Sequence, residues 1–334
     1  MLKRFLLILF IVLSSVLWGC NTNSNSTNKL QINSPSHFPK PIPSPNRNEL
    51  TQEGIALGRR LFFDTTLSAN NQISCASCHQ PELAFSDNKP FSSGHSGRFL
   101  KRNTPPLFNM AWAESFFWDG GVKNLESLSF AALSSPDEMG VDLEELCLGL
   151  NQDKTYTSAF KQAFDVDSIS SAYISRALAQ YMRTLVSYDS RYDSVQLGLS
   201  QFSDRQLHGH NVFVKNCASC HPPPLFTDNG FHHNGISQKY TAHHLYLTTG
   251  RFRITRDSID LGKYKTPSLR NLSRTAPYMH DGRFEDLDEV LNHYQNLDLK
   301  NQNQDILVTH IEFSDVDKNA LKAFLKTLEG GTID

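Results

Sequence analysis

The pentapeptide Cys75-Ala76-Ser77-Cys78-His79 recurs unchanged as Cys217-Ala218-Ser219-Cys220-His221. Thiols spaced Cys-x-x-Cys and followed at once by an imidazole form the attachment signature of c-type haem. The thiols add across the porphyrin vinyl groups, and the histidine is left beneath the iron as its proximal ligand. Cys75, Cys78 and His79 are therefore expected to hold one covalent haem, and Cys217, Cys220 and His221 a second. The implied chemistry is redox. A thioredoxin-like Cys-x-x-Cys would sit in a βαβ pattern, and neither copy does. A zinc site made from both cysteine pairs would leave two equivalently placed histidines without a role.

The elements that must carry these motifs are duplicated as well. Gly58-Arg59-Arg60-Leu61-Phe62 precedes the first motif as Gly209-His210-Asn211-Val212-Phe213 precedes the second. Phe85-Ser86-Asp87 matches Phe226-Thr227-Asp228, and Thr104-Pro105-Pro106-Leu107-Phe108-Asn109 matches Thr266-Pro267-Ser268-Leu269-Arg270-Asn271. Trp118-Asp119-Gly120 and His280-Asp281-Gly282 each lead to a helix predicted to begin at Leu125 or Leu287. The shared order is the mark of an internal repeat, with one haem domain predicted over 49–195 and the other over 196–334. Ile174 to Val186 reads as a long helix, with Ala177, Leu178, Tyr181 and Leu185 at helical spacing. Ser203-Asp204 opens another, and Pro222-Pro223-Pro224 marks a loop. Strand signals are scarce. The predicted class is all-α: two tandem cytochrome c-like haem domains related by internal duplication.

Where the halves differ, their chemistry should differ. Leu287, Val290, Leu291 and Tyr294 fall at i, i+3, i+4 and i+7, one apolar helix face. The alignment sets Ala132 of the first half opposite Tyr294. If this face looks across the haem, one iron meets a phenol oxygen and the other a methyl group. One site would then be closed, the other open to a small molecule. Haem iron accepts Tyr, Met or His axially, and that choice decides between electron transfer and reactivity. Met279, in the loop before His280, competes with Tyr294, since Met/His ligation is the usual electron-transfer arrangement. Tyr294 also reads as an ordinary core tyrosine.

The N-terminus carries an address. Lys3 and Arg4 precede an apolar run, Leu6 to Leu17, too short for an ordinary spanning helix. Leu17-Trp18-Gly19-Cys20 resembles a bacterial lipoprotein cleavage box, so 1–20 is predicted to be a lipoprotein-type signal peptide with Cys20 the lipidated membrane anchor. A plain secretory signal is the alternative. Residues 21–48, rich in Asn, Ser and Pro, are predicted to be a disordered tether. Covalent haem attachment takes place outside the bacterial cytoplasm, as is known of c-type cytochromes. The expected location is therefore the periplasmic side of the envelope, lipid-anchored. Cys147, in an apolar helical stretch, is expected in the core, and no disulfide is expected. A net charge of −2 and a pI near 6.7 give no basis for a nucleic-acid partner, although a balanced total can hide a local patch for a protein. His232-His233 and His243-His244 lack tetrahedral spacing and read as surface or haem-edge residues.

From about Leu50 to about Leu328 the chain resembles the bacterial di-haem cytochrome c peroxidase family, which includes the methylamine-utilisation di-haem enzymes. The resemblance rests on both haem motifs, Gly94-His95, Arg102-Asn103-Thr104-Pro105, Trp118-Asp119-Gly120 and Pro136-Asp137-Glu138-Met139-Gly140. Lys265 to Asn271 and Ala276 to Gly282 complete it. It implies a peroxidatic first haem and a second haem that takes electrons from a small c-type cytochrome or cupredoxin. His95 matches a distal histidine that blocks the first haem until the second is reduced. Glu138 matches the acid-base residue beside peroxide, and Trp118 the tryptophan between the haems. Asn103, with the carbonyls of Thr275 and Pro277, matches an interdomain calcium site. Tyr294 falls where the peroxidases place a methionine and the methylamine-utilisation enzyme a tyrosine. Leu128 and Ala132 depart from a common glutamine and proline, leaving Glu138 the main polar group over the first haem. The family also admits a homodimer.

Peroxide heterolysis needs a proton moved between its oxygens, which a carboxylate of tuned pKa can do. Glu138 is the candidate, although a carboxylate there also suits a helix start. Trp118 reads equally as a packed aromatic, and His95 sits in a glycine-rich loop able to swing. Three functions follow. The first reduces hydrogen peroxide to water with electrons from a small donor protein. The second uses peroxide equivalents to oxidise a protein or small molecule, and an anionic Tyr294 ligand, better suited than a thioether to oxidised iron, favours it. The third is a non-enzymatic electron carrier.

Overall fold

The computed structural model describes residues 30–32, 34–236, 248–298, 303–309 and 311–331. The expected signal peptide, Cys20 and the pair His243-His244 lie outside them. The described chain is mostly helical, in line with the all-α reading. In the first half come α1 (Gln52–Phe63), α2 (Cys75–Cys78), α3 (Leu125–Ser134), α4 (Leu143–Gln152), α5 (Lys154–Phe164) and α6 (Ser171–Thr184). Then follow α7 (Arg191–Gln196), α8 (Asp204–Asn216), α9 (Phe252–Thr255), α10 (Leu287–Gln295) and α11 (Asp315–Leu325). Two short strands, β1 (Phe231–His232) and β2 (Tyr264–Lys265), pair antiparallel.

The helices start where side chains can take up their unpaired N–H groups. Thr51 accepts from Gly54 at the head of α1, and Asn124 from Ser127 at the head of α3. Ser203 forms a capping box with Gln206 on α8, and Asp286 caps α10 through Glu289. The helices read from Leu125, Leu287 and Ser203-Asp204 start as expected. The helix read over Ile174 to Val186 runs three residues earlier, from Ser171 to Thr184.

Each half is built on one close helix crossing. In the first, α1 packs along α6, and a side chain on Gly58 would fall 1.9 Å from the Ala177 carbonyl oxygen. In the second, α8 packs along α11, and Gly209 stands at the same 1.9 Å from the Ala320 oxygen. Around these crossings lie two separate cores. One gathers Leu61, Phe62, Phe85, Leu133, Phe160 and Leu178, the other Phe213, Phe226, Leu321 and Phe324.

The halves meet through a matched pair of backbone hydrogen bonds. The Asn103 N–H donates to the His280 carbonyl at 2.9 Å, and the Lys265 N–H to the Trp118 carbonyl at 2.8 Å. In the duplicated alignment these are the same bond seen from either side. The loops it joins share their backbone form. Phe117 and Met279 have φ of 62° and 74°, and Asn109 and Asn271 have 61° and 59°.

One expectation is corrected. Of the stretch expected to be a disordered tether, 21–48, residues 30–32 and 34–48 are packed, and the others lie outside the described residues. The Leu30 N–H donates to the Leu50 carbonyl, Trp112 Nε1 donates to the Pro39 carbonyl, and Phe38 is buried with Arg270 over its ring. Composition marked this stretch as disordered because its few anchoring residues find partners only on the assembled domains. Close to the boundary expected between 195 and 196, α7 leans on the second core. Tyr192 on α7 already packs with Phe226 and Phe324 of the second core.

Candidate haem sites and the ground between them

The short helix α2 presents Cys75 and Cys78, and its last turn delivers His79, whose N–H donates to the Cys75 carbonyl. His79 Nδ1 lies 2.8 Å from the Phe85 carbonyl oxygen, and His221 Nδ1 lies 3.1 Å from that of Phe226. A carbonyl only accepts, so each Nδ1 carries the proton and each Nε2 offers a lone pair, the tautomer needed to ligate iron. Burial lowers the proton affinity of both rings and keeps them neutral. Phe85 and Phe226 reach these positions in the left-handed region, at φ 61° and 55°, and both are fully buried. A β-carbon in that region is strained, so packing of the two rings must hold the carbonyls in place. The sequence showed the Phe-x-Asp repeat but not this use of it.

Beside the second motif a cavity of about 1480 Å³, part of it continuous with solvent, is lined by Cys217, Cys220 and His221. Its lining is mainly apolar, with the motif's two thiols and its histidine set into the wall. Leu287, Val290, Leu291 and Tyr294 all line it, so the apolar face read from the sequence is its wall. Unpaired thiols, a correctly polarised histidine and an apolar cavity fit a covalent haem. Met279 lines the same cavity. Asn234, which the sequence reading missed, touches both contenders. Its Nδ2 lies 3.5 Å from Met279 Sδ, and its side chain hydrogen-bonds the Tyr294 hydroxyl. Burial pushes the Tyr294 phenol up to about 12, against the pull of Asn234.

At the first motif, Glu138 is pushed up to about 7 by burial, with the neighbouring Asp137 charge adding to the shift and the Ser135 hydroxyl opposing it. Its charge is felt at both Cys75 and Cys78, which puts it beside the first attachment site. His95 is bound to the same loop. Its N–H donates to the Glu138 carbonyl at 2.8 Å, and its Nε2 lies 3.2 Å from the Pro136 carbonyl oxygen. The imidazole fills the place a side chain on Gly140 would take, its Nε2 2.2 Å from where a β-carbon would stand, and Gly140 has φ 61°. Arg98 and Lys101 both reach Asp137 at 3.6 Å. Leu128 and Ala132, on α3, are partly buried.

Trp118 lines the second-motif cavity and also a neighbouring one of about 710 Å³, walled by Pro105, Phe116 and Phe117. Its Nε1 donates to the Asn103 carbonyl at 2.8 Å. Asn103, Thr275 and Pro277 share the wall of the larger cavity. Among the described residues no three or more His, Cys, Asp or Glu side chains are grouped to hold a metal ion, so a cation there would depend on amide and carbonyl oxygens. His232, expected at the surface or haem edge, is clamped between Asp228 at 2.8 Å and Asp305 at 2.6 Å. His233 is fully buried.

Residues 52–198 match the family described as di-haem cytochrome c peroxidase. The chain is 36% identical over 297 residues to the methylamine utilization protein MauG of Methylorubrum extorquens, covering 87% of this chain and 82% of that one. It is 30% identical over 280 residues to the cytochrome c551 peroxidase of Nitrosomonas europaea, covering 83% and 80%. Among solved structures it is similar to a MauG-like protein associated with microbial copper homeostasis. There the TM-score is 0.83 and the identity 31%, over 90% of this chain and 96% of that one.

Proposed function

This chain belongs to the di-haem cytochrome c peroxidase family, and from that premise we propose that it reduces hydrogen peroxide at its first haem site. Electrons would enter at the second site from a small c-type cytochrome or cupredoxin. The observation that carries the reading is Glu138, a carboxyl poised near neutrality beside the first attachment cysteines. When bound, the haems supply redox-active iron, open to peroxide at the first site and able to store an electron at the second.

The chain's own groups do the rest. The Glu138 carboxylate takes a proton from one peroxide oxygen and delivers it to the other, which leaves as water; a group with pKa near the working pH does both. The full reduction consumes two electrons and two protons and yields two waters. Trp118, lining both cavities, is the proposed bridge for electrons between the sites. His95 is proposed as a removable distal ligand, which must first give up its bond to the Pro136 carbonyl. Until it does, it holds the Glu138 loop in place. Calcium at Asn103, Thr275 and Pro277, a lipid anchor at Cys20 in the periplasm, and a homodimer are carried forward as proposals on the family resemblance and the leader alone.

Tyr294 favours a second reading, in which peroxide equivalents oxidise a protein or small molecule instead of a donor cytochrome. The test is steady-state turnover with peroxide and reduced cytochrome c, beside spectra of the isolated protein and its Tyr294→Phe variant. Fast turnover supports the first reading. Slow turnover, with a low-spin haem spectrum that changes in Tyr294→Phe, supports the second. No response to peroxide in any redox state overturns both.

A further inference from the structure

We propose that Lys265 binds a haem propionate at the interface of the two halves, an inference that rests on the di-haem reading and extends it. Lys265 lies on β2 and lines both cavities. Its backbone N–H is fixed to the Trp118 carbonyl at 2.8 Å, so its position is set by the same loop that carries Trp118. Its ammonium donates to Asn229 Oδ1 at 2.9 Å, and no described carboxylate pairs with it. The nearest acidic influence, Asp228, is engaged with His232.

An ammonium walled in by proline and aromatic rings, with one neutral amide for a partner, is a charge without compensation. Burial weakens its hold on the proton, down to about 8, yet leaves it cationic at neutral pH. Covalent haem brings propionate carboxylates into these cavities, and a carboxylate is the counter-ion the site lacks. The nearby arginines are committed elsewhere: Arg102 and Arg253 meet the Asp119 carboxylate at 2.7 and 2.6 Å, and Arg251 donates to the Asp119 and Gly120 carbonyls. The duplication sharpens the point. Lys265 aligns with Asn103, whose N–H makes the mirrored bond to His280. Only one of the two equivalent positions carries a charge, so the two haems do not see equal fields.

The test uses Lys265→Met and Lys265→Arg, matured with haem, with haem counted per chain and midpoint potentials titrated spectroelectrochemically. Loss of a positive charge beside a propionate favours ferric iron. Lys265→Met should therefore keep two haems and lower at least one potential, and Lys265→Arg should stay near the parent. Two haems with unchanged potentials overturn the proposal, as does an equal drop in both variants. Fewer than two haems in the parent protein would instead overturn the di-haem reading. If Lys265→Met does not accumulate, the parent decides. Its propionate-bending resonance Raman band should shift on transfer to D2O, and an unshifted band overturns the proposal.

Discussion

Glu138 shows how its surroundings prepare an ordinary carboxyl for the role proposed for it. Burial disfavours its charge, and Asp137 next door disfavours it further, so it titrates near 7. The ionised form is the one able to accept the first peroxide proton. The rate constant for peroxide should therefore rise with pH through about 7 and fall off below it. Replacing Asp137 by Asn removes the neighbouring negative charge and should move that inflection to lower pH. Glu138→Gln should lower peroxide turnover by about 10²–10⁴-fold, the usual weight of general acid–base catalysis. A pH profile of kcat/KM for the three proteins checks all of this, and an inflection that survives Glu138→Gln would assign it to another group.

At the scale of elements, the two glycine crossings matter most. Gly58 and Gly209 let α1 approach α6, and α8 approach α11, until backbone nearly touches backbone. A methyl group at either has no space without moving a carbonyl. Gly58→Ala and Gly209→Ala should each cost about 1–3 kcal/mol, in the range of overpacking. Gly149, on α4, has open space around it, and Gly149→Ala should gain about 0.5–1 kcal/mol from helix propensity. Denaturant titration of the holoprotein distinguishes the signs. Local sequence made part of this readable: the cap at Ser203 marks one start, the duplication marks those at Leu125 and Leu287, and the period of Leu287, Val290, Leu291 and Tyr294 marks a face. It could not say that Asn234 would touch that face, because Asn234 arrives from another loop.

At the scale of the whole molecule, ion pairs on buried carboxylates tie the N-terminal segment and the two halves together. Asp193, on α7, takes a bidentate bond from Arg270 at 2.7 and 2.8 Å, both side chains 1% exposed, and His37 of the N-terminal segment joins it at 2.8 Å. Asp119 of the first half meets Arg253 of the second. Burial opposes ionisation of each carboxyl, but the arginines outweigh it and hold both below the usual range. A depressed carboxyl pKa stabilises the fold above its unfolded value of about 3.9, and that stability is lost as pH falls through the folded value. Acid should therefore loosen both the Asp119 contact between halves and the docking of the N-terminal segment on Asp193 below about pH 4. Asp193→Asn leaves Arg270 buried without its anion and should cost about 3–5 kcal/mol at neutral pH. Urea unfolding at pH 7 and a pH titration of tryptophan emission would measure both.

The sequence by itself carried the family likeness, the two haem-attachment motifs, the duplication and the all-α class. Each of these rests on covalent chemistry or on contacts between residues close along the chain, and short motifs record both. Tertiary structure decided the rest. It packed residues 34–48 onto the folded halves, set Tyr192 against the second core, and put Asn234 between Tyr294 and Met279. It also gave the Lys265 ammonium a neutral amide, Asn229, as its partner beside Trp118. These depend on which distant groups share a wall, and neither spacing nor composition encodes that until the chain has closed on itself.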